Sequence, residues 1–437
     1  MLRRFLVLAA LVPLSLSAQT PAGTSSAIFP DTPVGLAMRQ WLDAFNSGDS
    51  TQLGAFYRKY GMQRSLEAQM RFRAQTGGFE LVSIETDEPR LLEFVVRERN
   101  SGTHSVAVSE LSPDETPRMV QSALAAVPPG RSVADFRIDA AARTQVVEGA
   151  IAKLDENYVF PEIAKKMADT VRARLRRGAY DRISNGLTFA STLTQHFQEV
   201  SRDKHLRVNF VPAGVPQRRP SPSAERQARR TSDPERCGFL RSEKLDGNVG
   251  YVKFNFFASP DECGDVATEF ITRVTDADAL IIDLRDNGGG DPAMVAHISS
   301  YLFSKRTHLN DIWERPGNKT GNFYTNPALA GRKLGDDKPV YVLTSNRTFS
   351  GAEEFSYNLK NLKRATIVGE TTGGGAHPVN GHRIHDKFMI GVPFARAINP
   401  ITKTNWEGTG VEPDVKVSAS NALDVAKKLI ADKRVTP

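Results

Sequence analysis

Ser350 stands where an apolar, strand-like run (Val340-Tyr341-Val342-Leu343-Thr344) has ended and a helix-like stretch, Gly351 onward, has begun. A serine at the mouth of a helix can do chemistry. The N–H groups of the first turn have no partner within the helix and carry partial positive charge, so an oxyanion formed there is stabilised. The same residues also fit an inert arrangement: Ser350-Gly351-Ala352-Glu353 is a Ser-x-x-Glu capping box. Two glycine runs accompany the serine, Gly288-Gly289-Gly290 and Gly373-Gly374-Gly375. Neither belongs to a Gly-x-x-x-x-Gly-Lys or a Gly-x-Gly-x-x-Gly motif, so a phosphate cradle is not supported. By its own residues His205 reads as a surface histidine at a strand start, and His377 as a loop histidine. His382 and His385 flank Asp386 in a hairpin-like stretch with no further ligand cluster, so no metal site is expected.

The elements that must position these residues follow from periodicity. Met38, Trp41, Leu42 and Phe45 share one helical face, and strand-like runs follow at Phe79–Ile84, Leu91–Arg97 and His104–Glu110. An α+β accessory domain over 30–125 is expected, and the stretch LAMRQWLDAFNSGDSTQLGAFY at its start resembles nuclear transport factor two-like domains. Three helical patterns follow Val127-Pro128-Pro129-Gly130, carrying Val147, Ile151 and Leu154, then Ile163, Met167, Val171 and Leu175, then Phe189, Leu193 and Phe197. They predict a small helical module over 140–212, closed by the alternation Leu206, Val208, Phe210. Residues 213–236 are rich in proline and arginine with almost no apolar content, and predict a disordered loop. From 237 to 437 strands and helices alternate, which predicts a layered α/β core with ligands at the carboxyl ends of strands. Residues 304–338 read as a long connection.

Composition is that of an ordinary globular protein, with a formal charge of +7. Part of that charge lies in Arg3 and Arg4, and much of the rest in the 213–236 segment. No basic stripe interleaves with aromatics, so nucleic acid is not an expected partner. Arg3-Arg4, the apolar run Phe5 to Leu16 and Ser17-Ala18 predict a signal peptide over 1–18, hence export to a periplasmic or extracellular compartment with no stable membrane insertion. In such a compartment Cys237 and Cys263 are either a disulfide or two separate thiols.

Together TFSGAEEF, IVGETTGGGAHP and LIIDLRDNGGGDP resemble the serine peptidase family of tail-specific, C-terminal processing proteases, the tricorn core and interphotoreceptor retinoid-binding protein. The resemblance runs from about residue 144 to 432, is nearest to the retinoid-binding-protein-like branch, and implies a crotonase/ClpP-like core with Ser350 as nucleophile. Many relatives place a lysine base in the second glycine run, where this chain has Gly375. The tricorn-like branch uses a histidine that matches His205, with His377 as the alternative base. Lys204 stands where tricorn-like members carry a serine. The resemblance further implies Glu407, in WEGTGVEPD, as the acid that orients His205. Gly289 and Gly351 are the implied oxyanion donors, Gly289 being preferred because some relatives have proline at the position of Gly288. Many relatives carry a PDZ domain before the core, but the stretch from Phe210 to Asn248 is too short and too polar for one. The implied activity is hydrolysis of peptide or protein substrates through an acyl-enzyme, with no metal or organic cofactor. The alternatives are an inactive binding protein on the same fold and a crotonase-type acyl-CoA enzyme.

Overall fold

The computed structural model describes residues 27–216, 235 and 237–435. The expected signal peptide lies outside the described residues, as does most of the 213–236 segment.

The first helix, α1 (Pro33–Ser47), begins with proline in its first turn and with the Thr32 hydroxyl accepting from the Gly35 N–H; left-handed Gly48 ends it. Two more helices follow, α2 (Ser50–Lys59) and α3 (Leu66–Thr76). Four strands, β1 (Phe79–Asp87), β2 (Leu91–Glu98), β3 (His104–Leu111) and β4 (Met119–Ala126), then form an antiparallel meander in the order β1-β2-β3-β4. The helices pack on it through Val34, Met38, Phe45, Phe56, Phe79 and Phe94. Periodicity missed α3 because it buries only Thr76. It missed β4 because MVQSALAA is mostly small residues of intermediate exposure.

Helices α4 (Ala140–Asn157), α5 (Pro161–Arg176) and α6 (Gly186–Ser201) enclose an apolar centre, and a short strand, β5 (Arg207–Phe210), leaves them.

The remainder runs β6 (Phe239–Leu245), β7 (Val249–Phe254), α7 (Pro260–Thr272), β8 (Ala279–Asp283), α8 (Pro292–Ser299), β9 (His308–Glu314), β10 (Lys319–Tyr324) and β11 (Val340–Thr344). It continues through α9 (Gly351–Asn361), β12 (Thr366–Gly369), β13 (Val379–His385), β14 (Phe388–Pro393), β15 (Ala395–Ile398), β16 (Val415–Lys416) and α10 (Ala422–Val435). A six-stranded sheet of order β16-β12-β11-β8-β7-β6 is parallel except at its β6 edge. β8 and β11 are buried along their whole length, which explains their unbroken apolar sequences. One face is covered by α7, α8 and α9, through Ala267, Ile298 and Phe355 against Ile282, Val342 and Ile367. The other is covered by α10, through Ala426 and Ile430 against Ile281, Leu343 and Val368. The connection at 304–338 is not structureless: β9 and β10 form a hairpin that β15 extends. β10 escaped notice because its residues are largely exposed.

A fourth sheet, β13-β14-β5, joins the helical module to the core. β5 pairs with β14 (Val208 with Ile390, Phe210 with Phe388), and Phe388, Ile390 and Val392 are buried among the module's own apolar residues. Arg315 adds a polar clamp by donating to the carbonyls of Tyr158 (2.7 Å) and Asp155 (2.9 Å). The docking fixes where the loop between α6 and β5 ends up, and that loop carries His205.

Cys237 and Cys263 form a disulfide across 26 residues, with Cα atoms 5.8 Å apart. It ties the start of β6 to α7. Loop-closure entropy predicts that Cys263→Ser lowers unfolding free energy by about 3 kcal/mol relative to the oxidised protein. Denaturant melts with and without reductant check this; the variant and the reduced protein should melt together.

Candidate active site

Two hydrogen bonds from the loop between β11 and α9 strap it onto the loop after β8. The Thr348 hydroxyl donates to the Leu284 carbonyl (2.8 Å), and the Phe349 N–H to the Asn287 carbonyl (3.1 Å). Ser350 then adopts φ 54° and ψ −121°, a backbone conformation that costs a non-glycine residue about 1–3 kcal/mol. The contacts around it hold that strain in place. Glu353 accepts from the Ser350 N–H (2.8 Å), as the capping pattern requires, and does much more besides. It also accepts from the N–H groups of Gly374 (2.6 Å) and Gly375 (2.8 Å) and from the Thr372 hydroxyl (2.5 Å). Burial pushes its carboxyl up to about 7, against the pull of those four donors. Capping and nucleophile placement are therefore one arrangement, with Glu353 fixing the serine to the second glycine run.

His205 reaches this loop from the helical module. Its ring lies against that of Phe349, with centroids 4.6 Å apart, and its backbone N–H donates to Asp203 Oδ1 (3.0 Å). A Cβ placed on Gly375 would come within 2.7 Å of His205 Cε1 and 2.3 Å of Phe349 Cζ. No side chain fits at 375 while His205 holds this position, so a lysine there and a histidine at 205 exclude one another. Lys204 stands outside any proton relay and donates to the Gly373 carbonyl (2.6 Å).

His377 occupies a different place. It is buried, its Nδ1 is 2.7 Å from Asp203 Oδ2 and 3.5 Å from Glu407 Oε2, and its ring meets Phe160 edge-on. Glu407 Oε2 also accepts from the Ala376 N–H (2.5 Å). Glu407, expected beside His205, therefore pairs with His377. Asp203, Glu407 and His205 still bring one polar atom each within 4.8 Å of the others. His205 Nδ1 is buried with no hydrogen-bond partner. These three could ligate a cation by type, but Asp203 is engaged by the His205 N–H and His377, and Glu407 by the Ala376 N–H.

The expectation for Gly289 needs correction. Its N–H donates to Asn287 Oδ1 (2.8 Å), so it is already spent. Gly289 is instead a close-packing position: at φ 101° a Cβ there would lie 2.7 Å from both the Ser350 Cβ and the Gly351 nitrogen. The Gly290 nitrogen lies on the serine's side, 3.1 Å from where a Cβ on Gly351 would stand.

A cavity of about 520 Å³ unites the site. His205, Gly288, Gly290, Ser350 and Gly351 line it, and Ile312, Phe323, Phe349, Phe394 and Trp406 form apolar walls. Gly289, His377 and Glu407 do not line it.

Burial depresses the His205 imidazole to about 4; Asp203 opposes this, while His377 and Arg207 add to it. Burial raises the Glu407 carboxyl, with His377 opposing. His205 is thus neutral, and able to accept a proton, over the whole neutral range. The sign for stability follows. In the unfolded chain an imidazole protonates near 6.5, whereas folded His205 resists down to about 4, so the folded state loses ground as pH falls between those values. Above 6.5 this residue contributes nothing. Melting temperature should fall from pH 6.5 toward 4, and His205→Gln should flatten part of that slope.

Residues 248–417 match peptidase family S41, and residues 123–236 match the N-terminal domain of peptidase S41 in eukaryotic IRBP. Both matches are to models of peptidase family S41, and together they run through most of residues 123–417. The carboxyl-terminal-processing peptidase 2, chloroplastic, of Arabidopsis thaliana is 25% identical over 186 residues, 41% of this chain and 33% of that protein. The tricorn protease of Thermoplasma volcanium is 27% identical over 179 residues, 40% of this chain and 16% of its own length. The chain thus spans only a third or less of these two S41 relatives. Among solved structures, a lipoprotein from Streptococcus agalactiae superposes with a TM-score of 0.46 at 13% identity, covering 67% of this chain and 96% of that one.

Sequence reasoning passed over Asp203 and Glu353. Asp203 sits two residues before the candidate base, and Glu353 was visible only as a capping residue.

Proposed function

We propose that this chain is an exported serine peptidase acting through Ser350 and His205. The observation that carries the reading is the convergence, on one cavity, of a strained serine at a helix N-terminus and a neutral, half-buried histidine from a separate module. Ser350 Oγ attacks the substrate carbonyl while His205 takes its proton. The oxyanion is held by the Gly351 N–H at the start of α9 and by the Gly290 N–H, in place of Gly289. Each such donor contributes about 3 kcal/mol to transition-state stabilisation. His205 then protonates the departing amine, and water clears the acyl-enzyme by the same steps in reverse. Glu407 and Asp203 stabilise the imidazolium as it forms, Glu407 acting once its carboxylate turns toward the unpartnered Nδ1; hydrogen bonds of this kind often tighten only when substrate is bound.

A second reading is a binding protein that keeps the fold without turnover. The unpartnered His205 Nδ1 and the engagement of Glu407 by His377 favour it. Hydrolysis of casein by wild type, absent in Ser350→Ala, supports the peptidase. No hydrolysis of casein or of short peptides by wild type favours the binding protein.

A further inference from the structure

Glu354 takes no part in the mechanism above, yet it is among the least comfortable residues in the molecule. It lies one helical turn beyond Ser350, on the same face of α9, lines the cavity and is 4% exposed. Its Oε1 is buried with no hydrogen-bond partner. Burial pushes its carboxyl up to about 8, Asp291 adding to the rise and the amide of Asn310 opposing it. Asn310 is itself fully buried, and neither atom of its amide completes a hydrogen bond. Asn310, Ile312 and Glu314 alternate along β9 and so share one face of that strand, and Ile312 and Glu314 line the cavity. The cavity therefore has apolar walls, two carboxyl groups and, in Glu354 Oε1, a buried acceptor without a donor. Among the described residues, no lysine or arginine lines it.

We propose that this cavity receives a lysine or arginine side chain, on the residue that contributes the scissile carbonyl, and that Glu354 is its specificity-determining residue. The assignment rests on the peptidase reading for its place in a substrate. The methylene stem of such a side chain covers Ile312, Phe323 and Phe349, and its head donates to Glu354 Oε1. The carboxyl proton leaves to solvent as the cation enters, so charge balances. A leucine side chain, shorter and without a donor, would expel water and leave the Glu354 acceptor unpaired, which is costly in a buried site.

The test uses the full chain carrying Ser350→Ala, so that binding is read without turnover. Acetylated peptides of one sequence ending in Arg, Lys, Gln or Leu are titrated calorimetrically. The arginine and lysine peptides should bind about thirtyfold tighter than the leucine peptide, and adding Glu354→Gln should remove most of that ratio. Tightest binding of leucine, or a ratio unmoved by Glu354→Gln, overturns the assignment. If Glu354→Gln does not fold, Glu354→Asp replaces it and should keep the basic preference at lower affinity; loss of the preference there overturns the assignment as well. Cleavage by wild type distinguishes the two levels. Turnover without a basic preference sinks the role of Glu354 and leaves the peptidase standing. Selective binding of basic peptides without any turnover sinks the peptidase and leaves the pocket standing.

Discussion

His205→Ala is expected to lower kcat by roughly 10⁴-fold or more while the protein remains folded, because among the described residues no other histidine and no lysine lines the cavity. The fold should survive, since the loop carrying His205 is held on one side by the pairing of β5 with β14 and on the other by α6. Added imidazole should restore part of the rate by entering the vacated space beside Phe349. His377→Ala should behave in the opposite way. Removing that ring takes a hydrogen-bond partner from the buried Asp203 carboxylate, which costs about 1–3 kcal/mol of stability. Turnover should fall less than in His205→Ala. Thermal melts and steady-state kinetics on both variants decide the matter. Activity retained in His205→Ala and abolished in His377→Ala would transfer the base to His377.

The second large effect is expected at Glu353. Glu353→Ala leaves three backbone N–H groups and the Thr372 hydroxyl without their acceptor in a buried setting. Each orphaned donor costs about 1–3 kcal/mol, so a loss of at least 4 kcal/mol, enough to unfold many domains, is expected. Glu353→Gln keeps the shape but points an amide NH₂ at groups that are themselves donors. It should fold with reduced stability and lose most of kcat with little change in KM, because the Ser350 backbone is no longer pinned in its strained conformation. Equal melting temperatures for Glu353→Gln and wild type would show that the side chain is dispensable to the architecture.

The layered core was legible in the sequence because its parallel strands are buried on both faces and read as continuous apolar runs; β8 and β11 are the clearest cases. The helices of the module were legible for a related reason, a 3.6-residue stripe facing one apolar centre. Where burial is slight, as in α3, β4 and β10, periodicity carried no signal. At the site, the sequence offered Ser350 through its place between strand and helix, while His205 and Glu407 came only from likeness to known peptidases. The structure brings His205 to the serine's cavity and sets Glu407 against His377. The meeting of Asp203 with His377 could not be read from spacing either, since the two are 174 residues apart and come together only when the module docks on the core. Nor could the use of the Gly289 N–H by Asn287, which depends on one amide side chain two residues away. Gly375 carried a meaning in the sequence as a missing lysine. In the structure the same glycine is the space into which His205 fits.

The central claim, that Ser350 is a nucleophile activated by His205, is tested most directly by covalent labelling of the intact protein with a fluorophosphonate, read by mass spectrometry. Wild type should acquire one adduct on Ser350, His205→Ala should label far more slowly, and Ser350→Ala should not label at all. Equal labelling of wild type and Ser350→Ala would contradict the account.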